Sequence, residues 1–296
     1  MNILSMNPHE TMFIPLVGSP ISHSTATSLY NCICDIYDIN AMFYPKEIKE
    51  GELQDFFKAC KTLKFRGAML TMPHKGTAVD FMDEVDEVSK AFRSVNCVRF
   101  EDGKAIGRGF DGKGVIYAFD QVGVDLKGKE VVMIGSGGVG GIFAAEMAGR
   151  GVKKLTILNR TVSKAERIAA ELGRLYPEVQ VEVAEFTVPN AKKACETAEI
   201  FLQATCLGMV MKEDYEDISF IDALPNDCWV MDAVSNPPET KLVQYAKSKG
   251  YKTVIGMDML VCQVEAIFDF MFGVKLDSRG REAARDFYCK LFNFKK

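Results

Sequence analysis

The sequence is poor in histidine, with three in 296 residues, which leaves little for a His-based metal site. Its nine cysteines fall in no zinc pattern, since Cys32 and Cys34 make one C-x-C with no second pair. The expectation is no bound metal, and reduced, mostly buried thiols in a cytoplasmic protein. Long apolar runs are also missing: none approaches the roughly 20 residues that span a bilayer. The stretch Met1–Phe13 has no basic region followed by an apolar core, so it is not read as a secretory signal. Positive charge is not in excess. The net charge of -4 gives no reason to expect nucleic acid or an anionic membrane as partner. No repeat of fixed period and no low-complexity tract is present.

What is there is core-forming material, 48% hydrophobic residues in a chain long enough for two domains. The first third alternates between two periods. Met12–Val17, Phe43–Ile48 and Gly67–Thr71 read as strands. Thr25–Tyr37 reads as a helix with Leu29, Ile33 and Ile36 on one side, and Glu52–Leu63 as a helix with Leu53, Phe56, Phe57 and Cys60 at helical spacing. Pro73 is expected to open a further helix, as a proline at the first turn often does. Asp102-Gly103, between two short apolar runs, signals a hairpin.

A second alternating unit follows a helix over Asp111–Gln121. Its strands are expected at Glu130–Ile134, Lys154–Leu158, Ile200–Gln203, Trp229–Asp232 and Thr253–Ile255, with helices at Val139–Ala148 and Ser163–Leu172. Asp214–Ile221 reads as a loop or short helix. The chain ends in an apolar helix, Met257–Phe272, and a shorter one, Ser278–Phe292. Such alternation predicts an α/β protein with parallel strands and crossover helices.

Gly135-Ser136-Gly137-Gly138-Val139-Gly140 contains G-x-G-x-x-G after an apolar strand and before a helical pattern. Glycines there let the backbone turn tightly and approach a pyrophosphate, whose charge the helix N-terminus favours. A ligand-free glycine turn would look the same without that context. The next strand ends in Asn159-Arg160-Thr161, with Lys164 close behind. An NAD site places an acid about 20 residues beyond the glycines, to accept from the ribose 2′-hydroxyl. Arg160 stands there instead, and a guanidinium suits a 2′-phosphate. The cofactor expected is NADP rather than NAD.

Lys75 follows a strand end in Leu70-Thr71-Met72-Pro73-His74-Lys75, and Asp111 sits in the glycine-rich Gly107–Gly114. Interconverting an alcohol and a ketone needs a group that takes or gives the hydroxyl proton. A lysine serves if its pKa falls from about 10.4. By themselves these two are ordinary surface residues.

Together with the other motifs they are not. Val17-Gly18-Ser19-Pro20-Ile21-Ser22-His23-Ser24, Leu70–Lys75, Ser94-Val95-Asn96, Asp111-Gly112, Asn159-Arg160-Thr161, Asp232-Ala233-Val234-Ser235-Asn236-Pro237-Pro238-Glu239-Thr240 and Gly256–Gln263 occur in the order found in the shikimate dehydrogenase family, which the chain resembles along nearly its whole length. The resemblance implies an N-terminal α/β substrate domain plus a Rossmann NADP-binding domain, with C-terminal helices packing back on the first. The domains would be residues 1–111 with 256–296, and 112–255. It implies Lys75 and Asp111 as the catalytic pair, Ser24 on a substrate carboxylate, and Thr71, Asn96 and Gln263 on ring hydroxyls or that carboxylate. Gly135, Gly137, Gly138, Gly140, Asn159, Arg160, Thr161, Lys164 and Gly256 would bind the cofactor. The partner implied is a small alicyclic carboxylate, and the protein a monomer or homodimer.

Six positions depart from that family's pattern. Ala26 stands where a second Ser or Thr would help hold the carboxylate, and Thr27 replaces a proline after it. Met69 replaces an Asn, and Gly109-Phe110 replaces Asn-Thr before the aspartate. Ser235 replaces a commonly aromatic residue near the cofactor. Losing one hydrogen bond to a charged carboxylate costs about 1.5–3 kcal/mol, roughly 10- to 150-fold in affinity. The activity expected is reduction of 3-dehydroshikimate to shikimate. The alternatives are a quinate or aminated analogue as substrate, or a non-catalytic ligand-sensing protein that kept the fold. A Rossmann methyltransferase is disfavoured by Arg160-Thr161 in place of an acid.

Overall fold

The computed structural model describes residues 9–21 and 24–294; Ser22 and His23 of the first motif lie outside them. The chain divides into two compact units, Met1–Phe110 with Val264–Phe287, and Asp111–Gln263 with Tyr288–Lys296.

The first unit is built on a six-stranded mixed sheet. In chain order its elements are β1 (Met12–Gly18), α1 (Ala26–Ile36), β2 (Ala41–Glu47), α2 (Leu53–Thr62), β3 (Gly67–Leu70), β4 (Glu84–Val85), α3 (Glu87–Ala91), β5 (Cys97–Glu101) and β6 (Lys104–Arg108). The strand order is β2-β1-β3-β5-β6-β4. β1 runs parallel to β2 and β3, and β5 runs antiparallel to both β3 and β6. Asp102 (φ 49°) and Gly103 (φ 78°) close the β5–β6 hairpin in the left-handed region, which a two-residue hairpin turn requires and Asp-Gly adopts readily.

Pro73 does not open an α-helix. Residues 72–76 form turns and only Thr77–Phe81 coils, as 3₁₀ helix. The Met72–Pro73 bond is cis. Buried His74 donates through Nε2 to the Ile48 carbonyl (2.7 Å), and Val95 N–H bonds the Lys75 carbonyl (3.0 Å). Long-range bonds therefore fix this segment, where periodicity has no hold on it. β4 and α3, too short to show a period, are also absent from the sequence reading.

The second unit is a six-stranded, wholly parallel sheet. It comprises α4 (Asp111–Gln121), β7 (Glu130–Ile134), α5 (Gly140–Gly149), β8 (Lys154–Asn159), α6 (Val162–Leu175), β9 (Gln180–Glu185), α7 (Val188–Cys195), β10 (Ile200–Gln203), β11 (Trp229–Asp232), α8 (Lys241–Ser248) and β12 (Lys252–Ile255). The order β12-β11-β10-β7-β8-β9 reverses direction of winding between β7 and β10. That is the doubly wound dinucleotide-binding order, whose ligands sit outside the carboxyl ends of the strands at the switch point. The strands are near-continuous apolar runs because helices cover both faces. β9, α7 and α8 were not anticipated: β9 is polar and half-exposed, so it carries no strong pattern.

Two helices end the fold, α9 (Gly256–Phe272) and α10 (Ser278–Leu291). The apolar pattern runs unbroken through α9, yet the residues up to Gln263 belong to the second unit and those from Val264 to the first. Gly114 of α4 explains the first part: a Cβ there would lie 2.5 Å from the Met259 carbonyl, so the two helices touch at a glycine. In the first unit, Phe268 of α9 packs on Tyr30 and Phe43, and Phe272 on Phe43. Arg66 and Arg99 donate to the Met271 and Phe270 carbonyls at the end of α9. Two guanidiniums there complement the negative end of the helix dipole.

None of the nine cysteines forms a disulfide. Among the described residues no helix is long and apolar enough to cross a membrane.

Candidate active site

In the first unit the candidate residues meet at the carboxyl ends of β1 and β3. Thr71 follows β3, and its N–H donates to the Val17 carbonyl (2.9 Å). Gly18 is forced by this closeness, since a Cβ there would lie 2.5 Å from Thr71 Cγ2 and 3.0 Å from the Met72 carbonyl. Asn96 is buried beside them. Its carbonyl accepts from Leu70 N–H (2.8 Å), and its side-chain Oδ1 accepts from Phe110 N–H (2.9 Å). Ser89 Oγ accepts from Gly109 N–H (2.8 Å) while donating to Asp86 (2.6 Å). Two buried side chains thus hold the backbone just before Asp111. Lys75 is half-buried in the turn that reaches Val95, one residue from Asn96. Ser24 precedes α1, half-buried, with its N–H on the Ile21 carbonyl (3.0 Å).

Of the hydroxyls near Ser24, Thr25 is exposed and Thr27 is buried, while Ala26, the first residue of α1, offers none. Met69 is buried within β3. Phe110 stacks on Phe270 with ring centres 5.3 Å apart. Met69 and Phe110 therefore have packing roles in this unit, whereas Ala26 simply withdraws a hydroxyl.

In the second unit, Asp111 and Gln263 are brought together: Gln263 Nε2 donates to Asp111 Oδ1 at 2.7 Å. Gly114 permits it, because a Cβ there would also crowd Gln263 Cβ at 3.2 Å.

The glycine turn divides into two kinds of glycine. Gly135 has φ +112°, and its Cβ would lie 2.8 Å from Ala204 backbone atoms; Gly140, opening α5, would place one 2.7 Å from the Gly135 carbonyl. The fold itself demands these two. Gly137 and Gly138 are exposed, and a Cβ on either would meet nothing within 4 Å. Nothing in the chain requires them, whereas a pyrophosphate approaching from outside would. The N-cap Val139 gives α5 no side-chain cap, so the helix N-terminus faces the turn with its donors available for an anion.

Asn159, at the end of β8, ties this turn down. Its Oδ1 accepts from Ser136 N–H (3.0 Å) and its Nδ2 donates to the Thr161 carbonyl (2.9 Å). Arg160, Thr161 and Lys164 are exposed, and among the described residues neither cation has an ion-pair partner. Gly256 opens α9 where a Cβ would lie 2.4 Å from the Val234 carbonyl. These features fit a dinucleotide with a 2′-phosphate.

Two features escaped the sequence reading. Ser136 Oγ is buried in the turn with no hydrogen-bond partner among the described residues. Asp232, within the Asp232–Thr240 motif, is a buried acid at the carboxyl end of β11. It accepts from Val234 N–H (2.9 Å), Thr240 Oγ1 (2.6 Å) and Gln203 Nε2 (3.3 Å). Burial pushes its carboxyl up to about 6, against these bonds, which pull it down. The only signal available in the sequence was an acid ending an otherwise apolar strand.

A doubly wound parallel sheet, a glycine turn at its switch point and two unpaired cations after the next strand define an NADP-type Rossmann unit, joined here to a second α/β unit that carries a lysine turn. The chain belongs to the shikimate dehydrogenase family. Residues 16–98 match the shikimate dehydrogenase substrate binding domain and residues 117–237 match shikimate / quinate 5-dehydrogenase. A shikimate dehydrogenase (NADP(+)) of Alkaliphilus oremlandii is 36% identical over 88% of this chain and 91% of its own. Among solved structures, a shikimate dehydrogenase in complex with NADP+ is similar with a TM-score of 0.84 and 30% identity, covering 98% of both chains. The 5-ketofructose reductase of Gluconobacter sp. strain CHM43 is similar with a TM-score of 0.83 and 28% identity, covering 93% of this chain and 98% of that one.

Proposed function

We propose that the chain catalyses the NADP-dependent, reversible reduction of 3-dehydroshikimate to shikimate. The observation that carries this is the pair of exposed cations Arg160 and Lys164, without ion-pair partners among the described residues, beside the glycine turn, in a chain whose other unit presents Lys75, Thr71 and Asn96 at the carboxyl end of β3. Bound NADP supplies or accepts the hydride. The chain's residues do the rest. Gly137, Gly138 and the start of α5 receive the pyrophosphate between Gly135 and Gly140, and Asn159, Arg160, Thr161 and Lys164 recognise the 2′-phosphate. Gly256 leaves room where the strand ends converge.

Lys75 Nζ gives the proton to the forming hydroxyl in reduction and takes it back in oxidation. Asp111 orients that exchange, and Gln263 orients Asp111 through their 2.7 Å bond. Ser24 holds the carboxylate, and Thr71 and Asn96 the ring hydroxyls. General acid–base groups of this kind contribute about 10²–10⁴-fold.

A second reading keeps the chemistry and changes the substrate, to a hydroxy ketone that lacks the carboxylate. Ala26 favours it by withdrawing a hydroxyl beside Ser24, and the similar 5-ketofructose reductase is named for such a ketone. The reduced-nicotinamide absorbance separates the two. Purified protein with NADP and shikimate or quinate, or with NADPH and 5-ketofructose, is followed for turnover. Turnover with shikimate supports the first reading. Turnover with 5-ketofructose and none with either acid supports the second. Silence with all, while NADPH still binds, contradicts both.

A further inference from the structure

The carboxyl ends of three neighbouring strands of the second unit, β7, β10 and β11, converge on one buried polar cluster. Gln203, fully buried at the end of β10, spends both ends of its amide. Its Oε1 accepts from Thr205 N–H, and its Nε2 donates to the Leu207 carbonyl (3.1 Å) and to Asp232 Oδ1 (3.3 Å). Thr205 is the residue whose Cγ2 a Cβ on Gly135 would meet at 2.7 Å, so the turn after β10 is the wall against which the cofactor turn after β7 rests. On the other side, Asp232 Oδ1 also accepts from Val234 N–H, and the Val234 backbone is what Gly256 abuts at the start of α9. Asp232 Oδ2 accepts from Thr240 Oγ1, which also caps α8 by accepting from Val243 N–H (3.2 Å). The ends of β7, β10 and β11 and the start of α9 thus depend on a single carboxylate.

We propose that Asp232 is a positioning residue: as a carboxylate it holds, through Gln203 and Thr240, the strand ends in the arrangement that receives the dinucleotide, at the expense of stability. This rests on the reading of the second unit as the NADP-binding one. The expense follows from the chemistry of the position. A carboxylate buried to 1% exposure is taken out of water. Around it, Asp214 adds like charge from the loop before β11, itself paired to Lys241 of α8 (3.2 Å), and the buried Tyr215 phenol lies well above its ordinary range and stays neutral. An acid whose pKa is higher folded than unfolded binds its proton more tightly in the folded state. Its effect on stability is therefore most favourable below the unfolded value, about 4. That advantage is lost as pH rises to about 6, and the full penalty applies above it. A residue kept only for stability would be the neutral isostere.

The test is Asp232→Asn, measured at pH 8 by calorimetric titration with NADPH and by thermal melting. The expected result is opposite signs: the dissociation constant rises about tenfold, as for loss of a bond to a charged group, while the melting temperature rises above wild type. Repeating the melts at pH 5 is expected to shrink or reverse that gain. Gln203→Met severs the link from Asp232 to the Thr205 turn and is expected to weaken NADPH several-fold, with kcat at saturating cofactor retained. Affinity within twofold of wild type in both variants overturns the proposal. So does a melting temperature that falls together with affinity in Asp232→Asn at pH 8, which is the mark of a merely structural residue. A wild-type chain that binds no NADPH overturns the reading of the unit and this proposal with it.

Discussion

The two sheets place their chemistry in different ways. In the second unit the candidate cofactor residues sit at the carboxyl end of a parallel strand or the start of the following helix, where regular geometry fixes them: Gly135 after β7, Asn159 at the end of β8, Gly256 after β12. In the first unit the key residues lie in irregular turns. Lys75 is placed by a Val95 N–H bond and a buried histidine, and the approach to Asp111 by Ser89 and Asn96 side chains. A parallel sheet offers one repeated solution for binding phosphates, so its ligand groups follow a short motif. A mixed sheet offers none, and its groups are set one bond at a time by residues distant in sequence.

The division of labour is sharpest at Lys75. Replacing it by alanine is expected to lower turnover by about 10²–10⁴-fold, with thermal stability within about 0.5 kcal/mol of wild type, as for a side chain outside the core. Steady-state rates at saturating NADP and a melt check both. An equal loss of rate and stability would mean that the turn depends on the lysine for its shape.

The glycine turn gives the next largest contrast. Gly135→Ala forces an L-residue to φ +112° and against the Ala204 backbone, and is expected to destabilise by about 3 kcal/mol or more. Gly137→Ala meets nothing in the chain and is expected to keep its fold, while losing NADPH affinity. Urea melts and cofactor titration of the pair separate packing glycines from ligand-facing ones.

That pair also measures how far the sequence could be read. The motif G-x-G-x-x-G was visible, and so was the strand before it. What could not be seen was which glycines the fold itself consumes, because that depends on Ala204 and Thr205, some 70 positions away. The same limit hid Asp232, whose partners Gln203 and Thr240 are joined only in space. Long periodic helices such as α1, α2 and α9 were legible because their apolar faces repeat. The turn after Pro73 departs from the helix that a local proline rule predicts, because His74 and Val95 shape it through long-range bonds. Weakly patterned elements such as β9, half-exposed at a sheet edge, left no mark to read.

Arg160→Ala is expected to weaken NADPH by about 10- to 150-fold, the range for losing hydrogen bonds to a charged group, while leaving NADH affinity unchanged. Equal weakening of both would place Arg160 on some other part of the dinucleotide. The smallest effect is expected from Ala26→Ser, which restores a hydroxyl at the start of α1 beside Ser24. It is expected to lower the KM for shikimate by up to about tenfold, within the range of one such bond, with kcat little changed. A change in kcat alone would argue against a carboxylate-holding role for this turn.

The most direct test of the division between the two units is calorimetric titration of NADPH into Lys75→Ala beside wild type. If the proton-transferring lysine serves chemistry alone and cofactor binding belongs to the second unit, the two dissociation constants agree within about twofold while turnover is lost. A tenfold or greater loss of NADPH affinity in Lys75→Ala would contradict that division and make the lysine turn part of the cofactor site.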